Sequence, residues 1–129
     1  MKINNFESLQ IWKESTQLTK LIYGLTKTKP FSSDLGIRFQ IQRATVSISS
    51  NIVEGFEKGN NNEFIRYLRI AKGSVGEVRN QLYLAYIIKY IDEATFSDLT
   101  FKAISLSKQI GGFITYLEKK RKNGEFIKK

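Results

Sequence analysis

One stretch limits the possible folds more than any other: Leu35 to Gly59 reads LGIRFQIQRATVSISSNIVEGFEKG. Its apolar residues recur at steps of three and four, which is the spacing of one buried face of an α-helix. These residues are Ile37, Ile41, Ala44, Ile48, Ile52 and Phe56. A polar stripe follows another face and contains Arg43, Ser47, Ser50 or Asn51, Glu54 and Lys58. We therefore predict a long helix that carries both stripes.

The polar stripe raises the question of where its charges find partners. Arg43 and Glu54 stand three turns apart, too far to touch within one straight helix, so their partners must come from other helices. We expect Arg43, Ser47, Asn51 and Glu54 to form a largely buried polar network that fixes the register of the helices. Losing Glu54 from such a network would cost about 3 to 5 kcal/mol. The alternative is an exposed functional site.

Three further stretches repeat the helical spacing of apolar residues. The first runs from about Leu9 to Thr28 and is stopped by the only proline, Pro30. Ser32, Ser33 and Asp34 can cap the helix that follows.

The third and fourth helices have their own start signals. Asn60 followed by Glu63 has the spacing of a capping box, and this helix should last until about Lys89. Asp92 or Thr95 can cap the fourth helix. Short connections and the lack of strand-like alternation predict an all-α fold, an up-down-up-down antiparallel four-helix bundle over residues 1–118. Residues 119–129 form a basic C-terminal tail in this interpretation.

Several apolar residues lie off the main stripes and offer a second apolar face. They are Phe39, Val46, Val53, Tyr67, Ile70, Phe101 and Ile104. We interpret this face as a subunit contact and expect a homo-oligomer. The alternative is a wide core with aromatic residues at its margins.

The glycines inside the third and fourth predicted helices need a reason, because each costs about 1 kcal/mol relative to alanine. Gly73 and Gly76 are in the third helix, and Gly111 and Gly112 are in the fourth. We expect them to allow close approach of a neighbouring helix, with Gly73 and Ser74 facing the serines of the second helix. A ligand groove at these positions is the alternative, although no phosphate-binding glycine loop is present.

The composition narrows the possible functions. Cysteine and histidine are absent, which removes thiolate nucleophiles, imidazole bases and most transition-metal sites. We therefore predict a protein without catalytic activity, cofactor or metal. The net charge of +9 favours a polyanionic partner such as nucleic acid or an anionic membrane surface, and the alternative is a soluble basic surface with no partner. No leader or membrane-spanning run is visible in the sequence, so we expect a cytoplasmic protein.

Two motifs resemble a known family. QIQRATVSISSNIVEGFEKG and NEFIRYLRIAKGSVGEVRNQL are similar to the signature of the intervening-sequence proteins of 23S ribosomal RNA, a family of four-helix bundles. The resemblance covers about Phe6 to Leu117. This family resembles in turn the accessory protein of diversity-generating retroelements, a pentamer associated with reverse transcriptase and nucleic acid. The resemblance thus implies a homo-oligomer, a pentamer, that binds RNA or a nucleoprotein such as a reverse-transcriptase complex, and it supplies no catalytic activity.

Two functions remain open at this point. The first is an RNA- or DNA-binding oligomer that contacts phosphates through basic side chains off the apolar stripe of the third helix and in the tail. These candidates are Arg66, Arg69, Lys72, Arg79, Lys119, Lys120, Arg121 and Lys122. The second is a protein–protein adaptor without direct nucleic-acid binding.

Overall fold

Four α-helices make up most of the chain. The computed structural model describes residues 3–122, in which α1 spans Gln10–Thr26, α2 Leu35–Glu57, α3 Asn61–Ile87 and α4 Glu93–Lys122. Short 3-10 turns at Phe6–Ser8 and Phe31–Ser33 precede α1 and α2. The predicted all-α class with four helices is confirmed.

Polar side chains begin three of the helices. The carboxylate of Asp34 accepts a hydrogen bond from the Ile37 amide at the start of α2, and Asn60 does the same for Glu63 in α3 at 2.9 Å. Asp92 accepts from the amide of Thr95 at 2.8 Å, so Asp92 is the residue that caps α4. Each bond satisfies a backbone donor that the first turn of a helix leaves free.

The helices pack so that each contacts the next along the chain and α4 returns to α1. Gln42 near the start of α2 donates a hydrogen bond to Thr26 at the end of α1. Likewise, Arg121 at the end of α4 bonds Asn62 at the start of α3. The apolar stripe of α2 lines the centre of this arrangement, since every member except half-buried Ile37 is buried. The apolar stripe of α3 is buried throughout and comprises Phe64, Leu68, Ala71, Val75, Val78, Leu82 and Ala85.

Helices α2 and α3 approach each other closely at Gly55 on α2. A Cβ atom at this position would lie 2.6 Å from Cβ of Tyr67 and 3.1 Å from Cδ1 of Phe64, both on α3. Real Cβ atoms do not come so near, so the spacing of α2 and α3 requires a glycine here. Gly55 is therefore a packing glycine that the sequence analysis did not single out.

The four glycines that we assigned to helix packing do not serve that purpose within the chain. Gly73, Gly76 and Gly112 are exposed, and a Cβ at any of them would meet nothing within 4 Å. A Cβ at Gly111 would make only an ordinary contact with the flexible side chain of Lys72. The expectation was wrong because these positions face away from the core-facing stripes of α3 and α4.

The last helix is longer than expected. It continues through Lys122, so the four basic residues from Lys119 onward form its last turn and not an arm. Cationic side chains are favourable there because the carbonyl end of a helix carries partial negative charge. Residues 123–129 of the basic tail lie outside the described residues.

None of the helices formed within residues 3–122 has both the length and the apolar character that crossing a membrane demands.

Candidate functional site

Ser47, Asn51 and Ser74 form a polar seam between α2 and α3. The hydroxyl groups of Ser47 and Ser74 lie 2.9 Å apart and share a hydrogen bond across the two helices. The amide of Asn51 donates to Oγ of Ser47 at 3.0 Å and to its carbonyl oxygen at 2.8 Å. Ser74 is buried, and the other two are half-buried. The part of the predicted network that joins α2 to α3 therefore exists.

The charged members of that network are placed differently from our expectation. Arg43 and Glu54 are both exposed, so the prediction that they are largely buried was wrong. Glu54 accepts one long hydrogen bond, 3.3 Å, from the hydroxyl of Tyr67. Solvent can hydrate both charges because they lie on the outer side of α2, and burying them without close partners would be costly.

A shallow groove lies beside the polar residues of α2. It has a volume of about 420 Å³ and is lined by Phe6, Trp12, Ser49, Ser50, Val53 and Glu54. Trp12 is half-buried and packs edge-on against Phe6 with ring centroids 5.4 Å apart. Neither Ser50 nor Ser49 has an imidazole base beside it, since the chain has no histidine, and among residues 3–122 no three carboxylates gather closely enough to hold a metal ion.

The candidate cations lie on α3 and α4, two helices that pack against each other, and we call this set of residues the α3–α4 basic face. Arg69 on α3 bonds Glu118 on α4 at 3.0 Å, and Lys72 reaches Gly111. Arg79 follows Lys72 by two turns and so lies on the same side of α3. The face comprises Arg66, Arg69, Lys72, Arg79, Lys119, Lys120, Arg121 and Lys122.

Two arginines of this face are paired with carboxylates. Arg66 donates two hydrogen bonds to Glu63, which lower the pKa of the Glu63 carboxyl and raise the pKa of the Arg66 guanidinium. Arg69 is paired with Glu118 as described. Both pairs are exposed, so they add little to stability, but each carboxylate offsets part of the positive charge.

The remaining cations differ in exposure. Lys72, Lys119, Arg121 and Lys122 are exposed, and Lys120 lies over the ring of Tyr116. Arg79 is half-buried, and its Nε atom is buried without a hydrogen-bond partner. The expectation that all four basic side chains of α3 reach solvent therefore holds for Arg66, Arg69 and Lys72 but only partly for Arg79.

Several large apolar side chains are exposed on α2, α3 and α4. Phe39 and Val46 on α2 and Ile70 on α3 are exposed, as expected for a second apolar face. Phe101 on α4 is also exposed, whereas Val53, Tyr67 and Ile104 are half-buried. The sequence analysis missed a group at the end of α3, namely Tyr83, Leu84, Tyr86, Ile87 and Ile88. Their consecutive run of apolar letters hid which of them face outward.

The comparisons with known proteins agree on one family. A family model described as 23S rRNA-intervening sequence protein matches residues 7–112. A similar solved structure is a protein of unknown function from the S23 ribosomal protein family of Bacteroides thetaiotaomicron VPI-5482. Its TM-score is 0.74 at 21% sequence identity, over 81% of this chain and 97% of that chain. No curated protein matches the sequence.

Proposed function

The chain belongs to the family of 23S rRNA-intervening sequence proteins, and on this premise we propose that it is a non-catalytic RNA- or DNA-binding oligomer. Its subunit is an up-down-up-down four-helix bundle, and the α3–α4 basic face contacts the phosphates. The partner is a nucleic acid, free or within a nucleoprotein.

The observation that carries this proposal is that two basic segments distant in the sequence lie on adjacent helices that are bonded to each other. Arg66 to Lys72 and Lys119 to Lys122 are about fifty residues apart in the sequence, yet the Arg69–Glu118 and Asn62–Arg121 bonds join their helices. Several cations on two neighbouring helices of a small domain provide the positive potential that attracts phosphates. Contacts to phosphates add affinity without choosing a base sequence.

Oligomer formation is supported by the exposed apolar residues of α2 and α3. Phe39, Val46 and Ile70 occupy the outer sides of the two helices that pack most extensively against each other. Beside Ile70, the exposed Gly73 leaves the surface of α3 bare, so a second subunit can approach it closely. We propose a pentamer, in which the basic face is repeated and weak phosphate contacts add up.

A salt titration tests the proposal directly. The purified chain is mixed with fluorescent RNA and DNA of unrelated sequence, and the dissociation constant is measured at rising salt. We expect similar affinity for unrelated sequences and a linear fall of log affinity with log salt, steeper when more phosphates are contacted. A chain that binds neither nucleic acid at low salt would contradict the proposal.

The second candidate function is a protein–protein adaptor, and the exposed group at the end of α3 favours it. Proteins commonly use exposed apolar side chains for contacts with other proteins. This group comprises Tyr83, Leu84, Tyr86, Ile87 and Ile88. In an adaptor the positive charge would only attract an acidic partner. Absence of nucleic-acid binding by the parent protein would favour this function.

A further inference from the structure

A row of lysines runs along the outer side of α1, where the sequence analysis identified no site. Lys13, Lys20 and Lys27 follow each other at intervals of seven residues, so they lie on one side of the helix about 10 Å apart. All three are exposed. From the first to the last, the row extends about 21 Å along the helix.

The charges of this row are not offset by carboxylates. None of the ion pairs formed within residues 3–122 includes Lys13, Lys20 or Lys27. The one acidic residue of α1, Glu14, accepts a hydrogen bond from Gln10. The α3–α4 basic face differs in this respect, since two of its arginines are paired with glutamates. The row on α1 therefore presents three uncompensated charges.

An aromatic ring stands next to two of these lysines. Tyr23 follows Lys20 by three residues and precedes Lys27 by four, which makes it a surface neighbour of both. The Tyr23 side chain is 37% exposed. A Cβ at Gly24, the next residue, would meet nothing within 4 Å, so no side chain shields this part of the helix. The ring is accessible to a flat group.

We propose that the lysine–tyrosine row (Lys13, Lys20, Tyr23 and Lys27) binds single-stranded RNA or DNA as a second contact surface. The lysines bind phosphates and Tyr23 stacks against a base. Positive charge combined with exposed aromatic rings is the arrangement by which proteins hold single strands without reading their sequence. A base inside a duplex cannot stack on a side chain unless it leaves its own stack, so this row should prefer single strands.

A nucleic acid fits this row better than an anionic membrane does. A helix that lies on a membrane inserts its apolar face between the lipids. In α1 the apolar face packs into the protein core, because Ile11, Leu18 and Ile22 are buried. The row therefore provides charge and one ring but no apolar surface for insertion.

The inference rests on the proposed function, and variants of α1 separate the two. Lys13→Gln/Lys27→Gln removes two phosphate contacts, so the slope of log affinity against log salt for a single-stranded RNA should flatten by about 1.4. Lys13→Arg/Lys27→Arg keeps the charges and should retain the parent slope. Lys58→Gln/Lys89→Asn lowers the net charge equally from exposed positions outside the row and should change the slope much less.

The ring is tested with Tyr23→Leu, which keeps an apolar side chain on the surface of α1. Affinity for a short single-stranded RNA should fall by about fivefold, the lower end of the effect of losing one stacked base. Affinity for the duplex that this RNA forms with its complement should stay the same. An equal loss for both would overturn the stacking role.

Three results would overturn the inference as a whole. If the parent binds RNA and Lys13→Gln/Lys27→Gln shows the same salt slope as the parent, the row does not contact the nucleic acid, while the proposed function still holds. No binding by the parent at low salt would overturn both. Binding to phosphatidylserine vesicles that depends on the same two lysines as strongly as RNA binding does would identify a membrane surface instead.

Discussion

The hydroxyl group of Tyr90 donates a 2.7 Å hydrogen bond to Oδ2 of Asp34, which joins the connection after α3 to the residue that caps α2. The two residues are 56 positions apart in the sequence. This bond raises the pKa of the Tyr90 hydroxyl above its usual value of 10.0, because the neutral form can donate to the carboxylate and the ionised form is repelled by it.

Tyr90→Phe should lower the melting temperature at neutral pH. The raised pKa makes the contribution of Tyr90 fully present below about pH 10 and lost as the pH rises through its pKa in the folded protein. The difference in melting temperature between parent and variant should therefore shrink at strongly alkaline pH. Tyr86→Phe serves as a control, since it removes an exposed hydroxyl with no bond to a carboxylate in the structure. A constant difference across this pH range would contradict the assigned bond.

The seam between α2 and α3 predicts non-additive effects of serine substitutions. Ser74→Ala should lower the free energy of unfolding by about 1 kcal/mol, because it removes one partner of the hydroxyl pair. Ser47→Ala should cost more, about 1 to 3 kcal/mol, since it leaves the buried Ser74 hydroxyl without a partner. The double variant should cost less than the sum. Urea denaturation measures all three, and strictly additive losses would show that the two hydroxyls are not coupled.

Glu54→Ala should have little effect on stability. The carboxylate is exposed and, within residues 3–122, makes only the long bond to Tyr67, so we expect a change within about 0.5 kcal/mol. This prediction replaces the large loss expected from the sequence. A strong fall in melting temperature would mean that Glu54 is buried in the oligomer, and size-exclusion chromatography of the variant would reveal that change.

The sequence was sufficient for the helices but not for the orientation of every polar residue on them. Successive residues of an α-helix are rotated by about 100°, so Asn51 is turned by about 80° from Arg43 and Glu54 by only about 20°. Asn51 therefore faces α3, while Arg43 and Glu54 face outward. Apolar residues predict the buried side of α2 well. They do not show which flank of α2 lies against a neighbouring helix. The pairing of Arg69 with Glu118 could not be predicted either, because it depends on how α3 and α4 are aligned.

The two kinds of cation on the α3–α4 basic face predict different salt dependences. Lys72→Gln/Lys119→Gln removes two exposed charges that form no ion pair in residues 3–122, so the slope for a single strand should flatten by about 1.4. Arg66→Gln/Arg69→Gln should weaken binding to all sequences alike but flatten the slope less, because Glu63 and Glu118 already offset these charges. Neither variant should change the oligomer mass. Equal slopes in the parent and both variants would remove this face from the binding surface.

The proposed pentamer predicts a particle of about five times the chain mass of 14.9 kDa. Phe39→Gln/Ile70→Gln should lower the mass measured by light scattering, because both exposed apolar side chains would lose their contact with the next subunit. Leu21→Gln, an exposed apolar residue of α1 outside this face, is the control and should leave the mass unchanged. A parent mass near that of one chain at micromolar concentration would contradict self-association.

Gly55 predicts opposite results for two glycine substitutions. Gly55→Ala should reduce the free energy of unfolding, because overpacking typically costs about 1 to 3 kcal/mol and the gain in helix propensity is only about 1 kcal/mol. Gly112→Ala places its Cβ in open space and should stabilise α4 by up to about 1 kcal/mol. Thermal denaturation of both variants is the measurement, and a shift in the same direction would contradict the close approach of α2 and α3.

The contact at Gly55 also determines which amino acid substitutions this position can tolerate during evolution. In a library that places every amino acid at each position of α2, position 55 should accept glycine and reject nearly everything else, since even the smallest side chain separates two helices. Its exposed neighbour Glu54 should accept most replacements. Two adjacent positions of one motif would then accept substitutions at very different rates. The low rate at position 55 would reflect the distance between α2 and α3 and not the binding of a ligand.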